Sequence, residues 1–131
     1  MKRKILLIDD EPFLLKVLLV RLKHWGYDVM GAVDGPQALD AMHKNRPDLI
    51  ILDKEMPEMN GDEVARIVKT DHELKNIPII MISADVESLA ETARVCGIGC
   101  FLPKPFEAED LFEMIKTLLP HTEKDETTSE E

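Results

Sequence analysis

The chain has 131 residues, enough for one compact domain with little left over for a second. Its 26 acidic residues outnumber the 16 lysines and arginines, which gives a formal net charge of −10 at pH 7. An acidic chain without a basic cluster is poorly suited to bind nucleic acid or an anionic membrane, so neither is expected as a direct partner. The apolar run at 5–8 is too short for a signal peptide or a membrane span, and we expect a cytoplasmic protein.

Strands and helices alternate in the predicted secondary structure. In chain order they are a strand at 4–8, a helix at 12–25, a strand at 27–33, a helix at 36–45, a strand at 48–53, a helix at 62–74, a strand at 77–83, a helix at 86–96, a strand at 99–102 and a helix at 107–119. The third and fourth strands are almost uniformly apolar, which is typical of strands covered on both faces. This alternation predicts an α/β fold, a single doubly wound five-stranded parallel sheet with five helices.

The predicted organisation is one domain over 1–119 and a tail over 120–131. The segment after Pro120 carries five acids and one lysine. A short polar, acidic end of this kind is typical of a disordered tail.

The first helix is more apolar than a helix with one buried face needs to be. At about 100° per residue, one side carries Leu14, Leu15, Leu18, Leu22 and Trp25, and the other carries Phe13, Val17 and Val20 among charged residues. Two interpretations are open: a helix packed more deeply than usual, or an exposed apolar patch that binds a partner.

Polar side chains stand at the carboxyl ends of four predicted strands. They are Asp9, Asp10 and Glu11 after the first strand, Asp53 on the third, Ser83 on the fourth, and Lys104 with Pro105 after the fifth. Singly, each has an ordinary explanation as a helix cap or a turn residue. Ligands bind at this edge of a doubly wound sheet, so together these residues predict one site.

The residue types indicate phosphoryl chemistry. Three crowded carboxylates raise one another's pKa unless a cation neutralises them. Mg²⁺ binds oxygen ligands and leaves room for phosphate oxygens, with Mn²⁺ as the alternative ion. A carboxylate there can act as a nucleophile toward phosphorus, while Lys104 and the Ser83 hydroxyl contact the phosphoryl oxygens.

The segments ILLIDDEP, LIILDKEMPEMNG, IPIIMISA and FLPKPF resemble four signatures of the receiver domains of two-component response regulators, in the right order. The second contains a D-x-x-M-P-x-x-x-G pattern through Asp53, Met56, Pro57 and Gly61. The resemblance covers roughly residues 3–119. It implies a chemotaxis-regulator-like fold, flavodoxin-like, with strand order 2-1-3-4-5.

The resemblance also implies a role for each acid of the site. Asp53 would accept the phosphoryl group as an aspartyl phosphate. Asp10 would bind the metal directly, Asp9 would bind it through water, and the backbone carbonyl of Glu55 would be a further ligand beside Asp53. The side chains of Glu55 and Asp85 add acids that bear on the lifetime of the phosphorylated state.

Outside the acids, the resemblance implies a contact and a switch. Lys104 would contact the phosphoryl group, and its peptide bond to Pro105 would be cis. Ser83 would be the switch hydroxyl and Phe101 the switch aromatic, which turns inward when the hydroxyl moves toward the phosphoryl group. The surface around helix four, strand five and helix five would change as a result.

The implied function is to accept a phosphoryl group from a histidine kinase or a histidine phosphotransfer protein and to switch a protein-interaction surface. We expect a downstream protein target, and a monomer or a phosphorylation-dependent dimer. Phe13, Leu14 and Val17, in the first turns after Asp10, are predicted to dock the phosphoryl donor. The chain would be a signalling module with self-directed phosphotransfer and autodephosphorylation, rather than an enzyme with an independent substrate.

Two alternatives are open. A phosphohydrolase of the haloacid-dehalogenase type also uses a strand-end aspartate, and Glu55 has the spacing of its general acid. That interpretation leaves the acids after the first strand unexplained, and the chain is short for such an enzyme. A receiver cut from a larger regulator or a hybrid kinase would show the same sequence features.

Overall fold

The computed structural model describes residues 2–120, so the predicted tail lies, except for Pro120, outside the described residues. The elements are β1 (Lys4–Ile8), α1 (Pro12–His24), β2 (Asp28–Ala32), α2 (Gly35–Lys44), β3 (Leu49–Asp53), α3 (Gly61–Thr70), β4 (Ile79–Ser83), α4 (Val86–Val95), β5 (Cys100–Pro103) and α5 (Ala108–Leu118). The strands form one parallel sheet in the order β2-β1-β3-β4-β5. The predicted fold is therefore confirmed. None of the helices in this part of the chain is long and apolar enough to cross a membrane.

The core lies in two layers, one on each face of the sheet. Side chains alternate along a strand, so Leu6 and Ile8 of β1 enter one layer while Ile5 and Leu7 enter the other. Helices α2, α3 and α4 supply the first layer, and α1 and α5 supply the second. Each large apolar side chain buried in this way stabilises the fold by about 1.5–3 kcal/mol, which is why the central strands are apolar throughout.

The strand register brings the carboxyl ends of the strands to one edge. Ile8 pairs with Leu52, and Ser83 pairs with Pro103. The residues that follow these pairs therefore meet above the same edge of the sheet, where ligands bind in doubly wound folds.

Helix α1 buries only one side. Leu18 and Leu22 lie in the core, whereas Phe13 is 81% exposed, Val17 40% and Val20 62%. In the described chain these three residues form an exposed apolar patch, not a second packed face. Their role in binding a partner stays a prediction.

Helix α3 ends at Thr70, four residues before the end that the sequence pattern predicts. The backbone at Asp71 is extended, and the Asp71 carboxylate accepts hydrogen bonds from the amides of Glu73 (2.8 Å) and Leu74 (3.3 Å). An aspartate that bonds amides two and three residues further on ends one helix and starts a new turn. The apolar periodicity continued to Leu74 because that side chain is buried, although it lies outside the helix.

Candidate functional site

Three acidic side chains meet at the carboxyl ends of β1 and β3. Asp9 and Asp53 are buried and Asp10 is half-buried. One carboxylate oxygen from each lies within 4.8 Å of the other two. They are this close because β1 and β3 are neighbours whose ends are in register.

Lys104 follows β5 and reaches the acidic cluster. Its amide donates a hydrogen bond to the carbonyl of Ser83 at 2.8 Å, and its peptide bond to Pro105 is cis. Its ammonium nitrogen lies 3.3 Å from Asp53 Oδ2 and 3.3 Å from Asp9 Oδ2. The predicted cation and two of the three predicted carboxylates are thus in direct contact.

The charges of this cluster are not fully balanced. Burial and the charge of Asp9 raise the pKa of Asp53 from 3.8 to about 7, although Lys104 and the amide of Glu55 act in the opposite direction. Burial lowers the pKa of Lys104, but the charges of Asp53 and Asp9 outweigh burial and hold that pKa above its usual value. Lys104 therefore stays charged near neutral pH, whereas Asp53 is only partly ionised until more positive charge is added.

An oxygen of Asp9 provides a test of whether a metal ion fits this cluster. Within residues 2–120, Asp9 Oδ2 is the only buried side-chain oxygen or nitrogen without a hydrogen-bond partner. The Lys104 ammonium lies 3.3 Å from this oxygen, so the two form an ion pair. A hard divalent cation with oxygen ligands would satisfy this atom and supply the charge that Asp53 lacks, so the residues present fit Mg²⁺.

The Ser83 hydroxyl is directed at the side chain of Glu55. Ser83 Oγ lies 2.8 and 2.6 Å from the two carboxylate oxygens, and the amide of Ala84 donates to Glu55 Oε1 at 3.2 Å. The amide of Asp85 in turn donates to Ser83 Oγ at 2.9 Å. The sequence places Ser83 and Glu55 at one edge of the sheet but does not predict that they bond to each other.

The loop after β3 holds Asp53 in place. The amide of Glu55 donates to Asp53 Oδ1 at 3.2 Å, and the amide of Gly61 donates to the Lys54 carbonyl at 2.8 Å. A Cβ at Gly61 would collide with the Asp53 carbonyl oxygen, so only glycine allows the loop to pass this closely. Met56 is buried and anchors the loop in the core. These contacts explain why the D-x-x-M-P-x-x-x-G pattern has a methionine three residues and a glycine eight residues after Asp53.

The residues predicted for docking and for the switch lie on two surfaces. Leu14 and Val17 line a groove of about 510 Å³ that also contains Lys104, whereas the strongly exposed Phe13 is not among the lining residues. Phe101 on β5 is 39% exposed, so its ring is not turned into the core.

Two charged residues contact the site without a role predicted from the sequence. Glu11 Oε1 accepts a hydrogen bond from the Lys104 ammonium at 3.1 Å. Lys54 places its ammonium 3.5 Å from Glu55 and 3.9 Å from Asp85. The sequence already places Glu11 among the strand-end residues of the site, without assigning it a partner, whereas Lys54 stands in no pattern that reveals its partners.

Comparison with known proteins gives consistent matches. The family model of the response regulator receiver domain matches residues 5–116. The chain is 33% identical over 124 residues, 94% of its length, to the DNA-binding response regulator MtrA of Mycolicibacterium smegmatis, 53% of which is covered. Among solved structures it is similar to chemotaxis response regulator CheY4 of Vibrio cholerae, with a TM-score of 0.84, 31% identity and coverage of 90% of this chain and 99% of that one.

A further solved structure is similar and includes a metal ion. It is response regulator protein TrrA of Thermotoga maritima in complex with Mg²⁺ and BeF, with a TM-score of 0.80, 31% identity and coverage of 88% and 98%. The chain spans about half the length of the curated relatives it matches. Since the family match over residues 5–116 includes four whole strands, all but the first residue of β1, and the acidic cluster above them, the chain belongs to the response regulator receiver domain family.

Proposed function

We propose that this chain accepts a phosphoryl group on Asp53 from a phosphohistidine of a sensor histidine kinase or a histidine phosphotransfer protein. The observation that carries the proposal is the setting of Asp53, a buried strand-end carboxylate 3.3 Å from the Lys104 ammonium and clustered with Asp9 and Asp10. A phosphoryl-accepting function fits the receiver domain family.

In the proposed reaction, an Asp53 carboxylate oxygen attacks the phosphorus atom of the donor. A P–O bond forms and the P–N bond to histidine breaks, with its electron pair returning to the imidazole ring. Lys104 neutralises charge on one phosphoryl oxygen, and the Ser83 hydroxyl donates a hydrogen bond to another. Because only the ionised carboxylate is a nucleophile, the raised pKa of Asp53 must fall before attack, which added positive charge achieves.

We propose that Asp9, Asp10 and Asp53 hold Mg²⁺, or Mn²⁺ as the alternative, with the backbone carbonyl of Glu55 as a further ligand. Asp10 would bind the ion directly, and Asp9 would bind it through water. When bound, the ion supplies positive charge to the acceptor carboxylate and to the phosphoryl oxygens. The Asp9 oxygen that accepts no hydrogen bond can accept one from such a water, and it supports this assignment together with the incompletely neutralised Asp53.

The proposed output is a change in the surface formed by α4, β5 and α5. Phosphorylation draws the Ser83 hydroxyl toward Asp53, and Phe101 turns into the space that is left. Burying the exposed part of this ring gains on the order of 1–2 kcal/mol, enough to shift a two-state equilibrium by about tenfold. Val86 and Val95, at the two ends of α4, are 58% and 59% exposed, so this helix already presents apolar side chains to solvent.

We propose that the phosphoryl donor docks on Phe13, Leu14 and Val17. Leu14 and Val17 line the groove that contains Lys104, so a donor helix lying there would place its histidine beside the acceptor site. The strongly exposed Phe13 extends this apolar surface beyond the groove.

For the other partners, we propose a downstream protein target and a monomer or a phosphorylation-dependent dimer. The acidic charge of the chain does not favour direct contact with nucleic acid or a membrane. The relative MtrA is named as DNA-binding, but the match covers only 53% of that protein.

We propose a receiver domain over 1–119, acting as a signalling module that phosphorylates and dephosphorylates only itself. An origin as part of a larger regulator or a hybrid kinase is compatible with the partial coverage of the relatives. The haloacid-dehalogenase alternative is not favoured, because the receiver family match spans residues 5–116.

The proposed function is tested by labelling the chain with a small phosphodonor and Mg²⁺ and measuring its intact mass. Wild type should gain one phosphoryl group, and Asp53→Asn should gain none. Asp40→Asn, which makes the same change at an exposed position of α2, is the matched control and should label as wild type does. Labelling of Asp53→Asn at the wild-type rate would refute the proposal.

A further inference from the structure

The side chain of Glu55 accepts hydrogen bonds from two donors that lie beside the proposed phosphoryl-acceptor site. Its carboxylate accepts the Ser83 hydroxyl, with oxygen separations of 2.8 and 2.6 Å, and the Ala84 amide at 3.2 Å. Ser83 is buried and lies at the end of β4, next to the strand that carries Asp53. An internal anion is thus bound where a hydroxyl and an amide converge.

A neighbouring cation holds the Glu55 carboxylate in this position. The Lys54 ammonium lies 3.5 Å from Glu55 Oε2, and its side chain is only 18% exposed. Asp85, whose carboxylate is 3.9 Å away, is a second anion for the same ammonium. The Glu55 side chain itself is 46% exposed, so it has open solvent to move into when it leaves Ser83.

A carboxylate and a phosphoryl group would compete for the same hydrogen-bond donors. Both present anionic oxygens, and a hydrogen bond to such an oxygen is about twice as strong as one between neutral groups. The Ser83 hydroxyl has a single proton, so it cannot donate to Glu55 and to a phosphoryl oxygen at once. A phosphoryl group on Asp53 would also bring additional negative charge toward Glu55.

We propose that the Glu55 side chain is a built-in competitor of the phosphoryl group for the Ser83 hydroxyl and the Ala84 amide, and that it must swing away for the phosphorylated state to form. This inference rests on the proposed function of Asp53. Glu55 is in this sense a positioning residue: it acts through Ser83 and does not take part in bond making. It biases the chain toward the unswitched state, in which Ser83 is turned away from the acceptor.

The test measures binding of beryllofluoride with Mg²⁺, a stable mimic of the phosphoryl group, to the whole chain. Glu55→Ala should bind the mimic roughly tenfold more tightly, the effect of about one hydrogen bond to a charged group. Glu55→Gln keeps an acceptor for Ser83 without the charge and should fall between Glu55→Ala and wild type. The matched control is Glu87→Ala, which removes an exposed acid from the first turn of α4, and it should change the affinity less than twofold.

Two further measurements separate competition from a loss of charge. In a Ser83→Ala background, the gain from Glu55→Ala should shrink at least threefold, because one of the contested donors is gone. In the unliganded protein, the NMR resonance of the Ala84 amide should shift in Glu55→Ala and return toward its wild-type position in Glu55→Gln.

The outcomes distinguish this inference from the proposed function. Equal gains from Glu55→Ala and Glu87→Ala, or a full gain in the Ser83→Ala background, would overturn the competition while leaving the role of Asp53 intact. An unmoved Ala84 amide in Glu55→Ala would do the same. If neither wild type nor Glu55→Ala binds beryllofluoride, the proposed function fails together with the inference.

Discussion

Replacing Asp53 by Asn should stabilise the metal-free protein at neutral and higher pH. Asp53 is 1% exposed and faces the carboxylate of Asp9, so ionising it costs free energy that the contact with Lys104 does not fully offset. Its pKa rises from 3.8 to about 7 for these reasons. A carboxyl group with a higher pKa in the folded chain holds its proton more tightly when folded, so the folded state loses stability as the pH rises from about 4 to about 7. Asn has nearly the same shape and never ionises.

The magnitude follows from the pKa of Asp53. A rise from 3.8 to about 7 is roughly three units, and at about 1.4 kcal/mol per unit the upper limit is about 4 kcal/mol. Entry of water and movement of side chains reduce the cost of a buried charge. We therefore expect Asp53→Asn to be about 1–3 kcal/mol more stable at pH 8, which raises the melting temperature by about 4–12 °C in a domain of this size.

The assay is urea unfolding of wild type, Asp53→Asn and the control Asp40→Asn in EDTA, at pH 5 and pH 8. The stability difference between wild type and Asp53→Asn should fall to less than half its pH 8 value at pH 5, and Asp40→Asn should follow wild type. Added Mg²⁺ should stabilise wild type more than Asp53→Asn, because a ligand of the native state stabilises by mass action. An Asp53→Asn protein that is no more stable at pH 8, or a difference that does not depend on pH, would refute the reasoning.

The remaining predictions concern the metal, the donor surface and the switch. Asp10→Ala should nearly abolish Mg²⁺ binding measured by calorimetry, and Asp9→Ala should weaken it less; unchanged affinity in Asp10→Ala removes that residue from the site. Replacing Phe13 and Val17 by Ser should slow transfer from the cognate kinase about tenfold or more but spare labelling by a small phosphodonor; equal loss with both donors would indicate a folding defect. NMR shifts around Phe101 should move along one line between the free and beryllofluoride-bound states; a ring that keeps one rotamer throughout contradicts the coupled switch.

Much of the fold is predictable from local patterns. The runs of β3 and β4 are apolar on both faces, so these strands must be covered on both sides of the sheet. The helices that cover them are predicted by the alternation of strands and helical segments along the chain. Most predicted element ends lie within one or two residues of the observed ones. The end of α3 could not be predicted in this way, because the buried Leu74 continues the apolar period while the Asp71 side chain stops the helix.

The candidate site also has features that the sequence predicts and features that it does not. Residues whose place is set by the backbone are predictable, because the parallel sheet brings strand ends such as Asp9, Asp53 and Ser83 to one edge. The pairing of Ser83 with Glu55 is not predictable, because it depends on the torsions of a long side chain and on the ammonium of Lys54. By resemblance, the sequence assigns the backbone carbonyl of Glu55 a role as a metal ligand and its side chain a bearing on the lifetime of the phosphorylated state, but it assigns the side chain no partner. The hydrogen-bond partners of its carboxylate are visible only in the structure.

The groups that would bind a phosphoryl group already have anionic partners in this structure. The Lys104 ammonium is shared among Asp53, Asp9 and Glu11, and the Ser83 hydroxyl is held by Glu55. Phosphorylation would therefore exchange one set of charge-assisted hydrogen bonds for another, and the free energy of switching is the difference between the two sets rather than the sum of the new bonds. A difference of this kind is small enough to be set by an acid that never touches the phosphorus atom. It follows that substitutions of Glu55 should change the fraction of the phosphorylated chain that adopts the switched state, without changing which residue is phosphorylated.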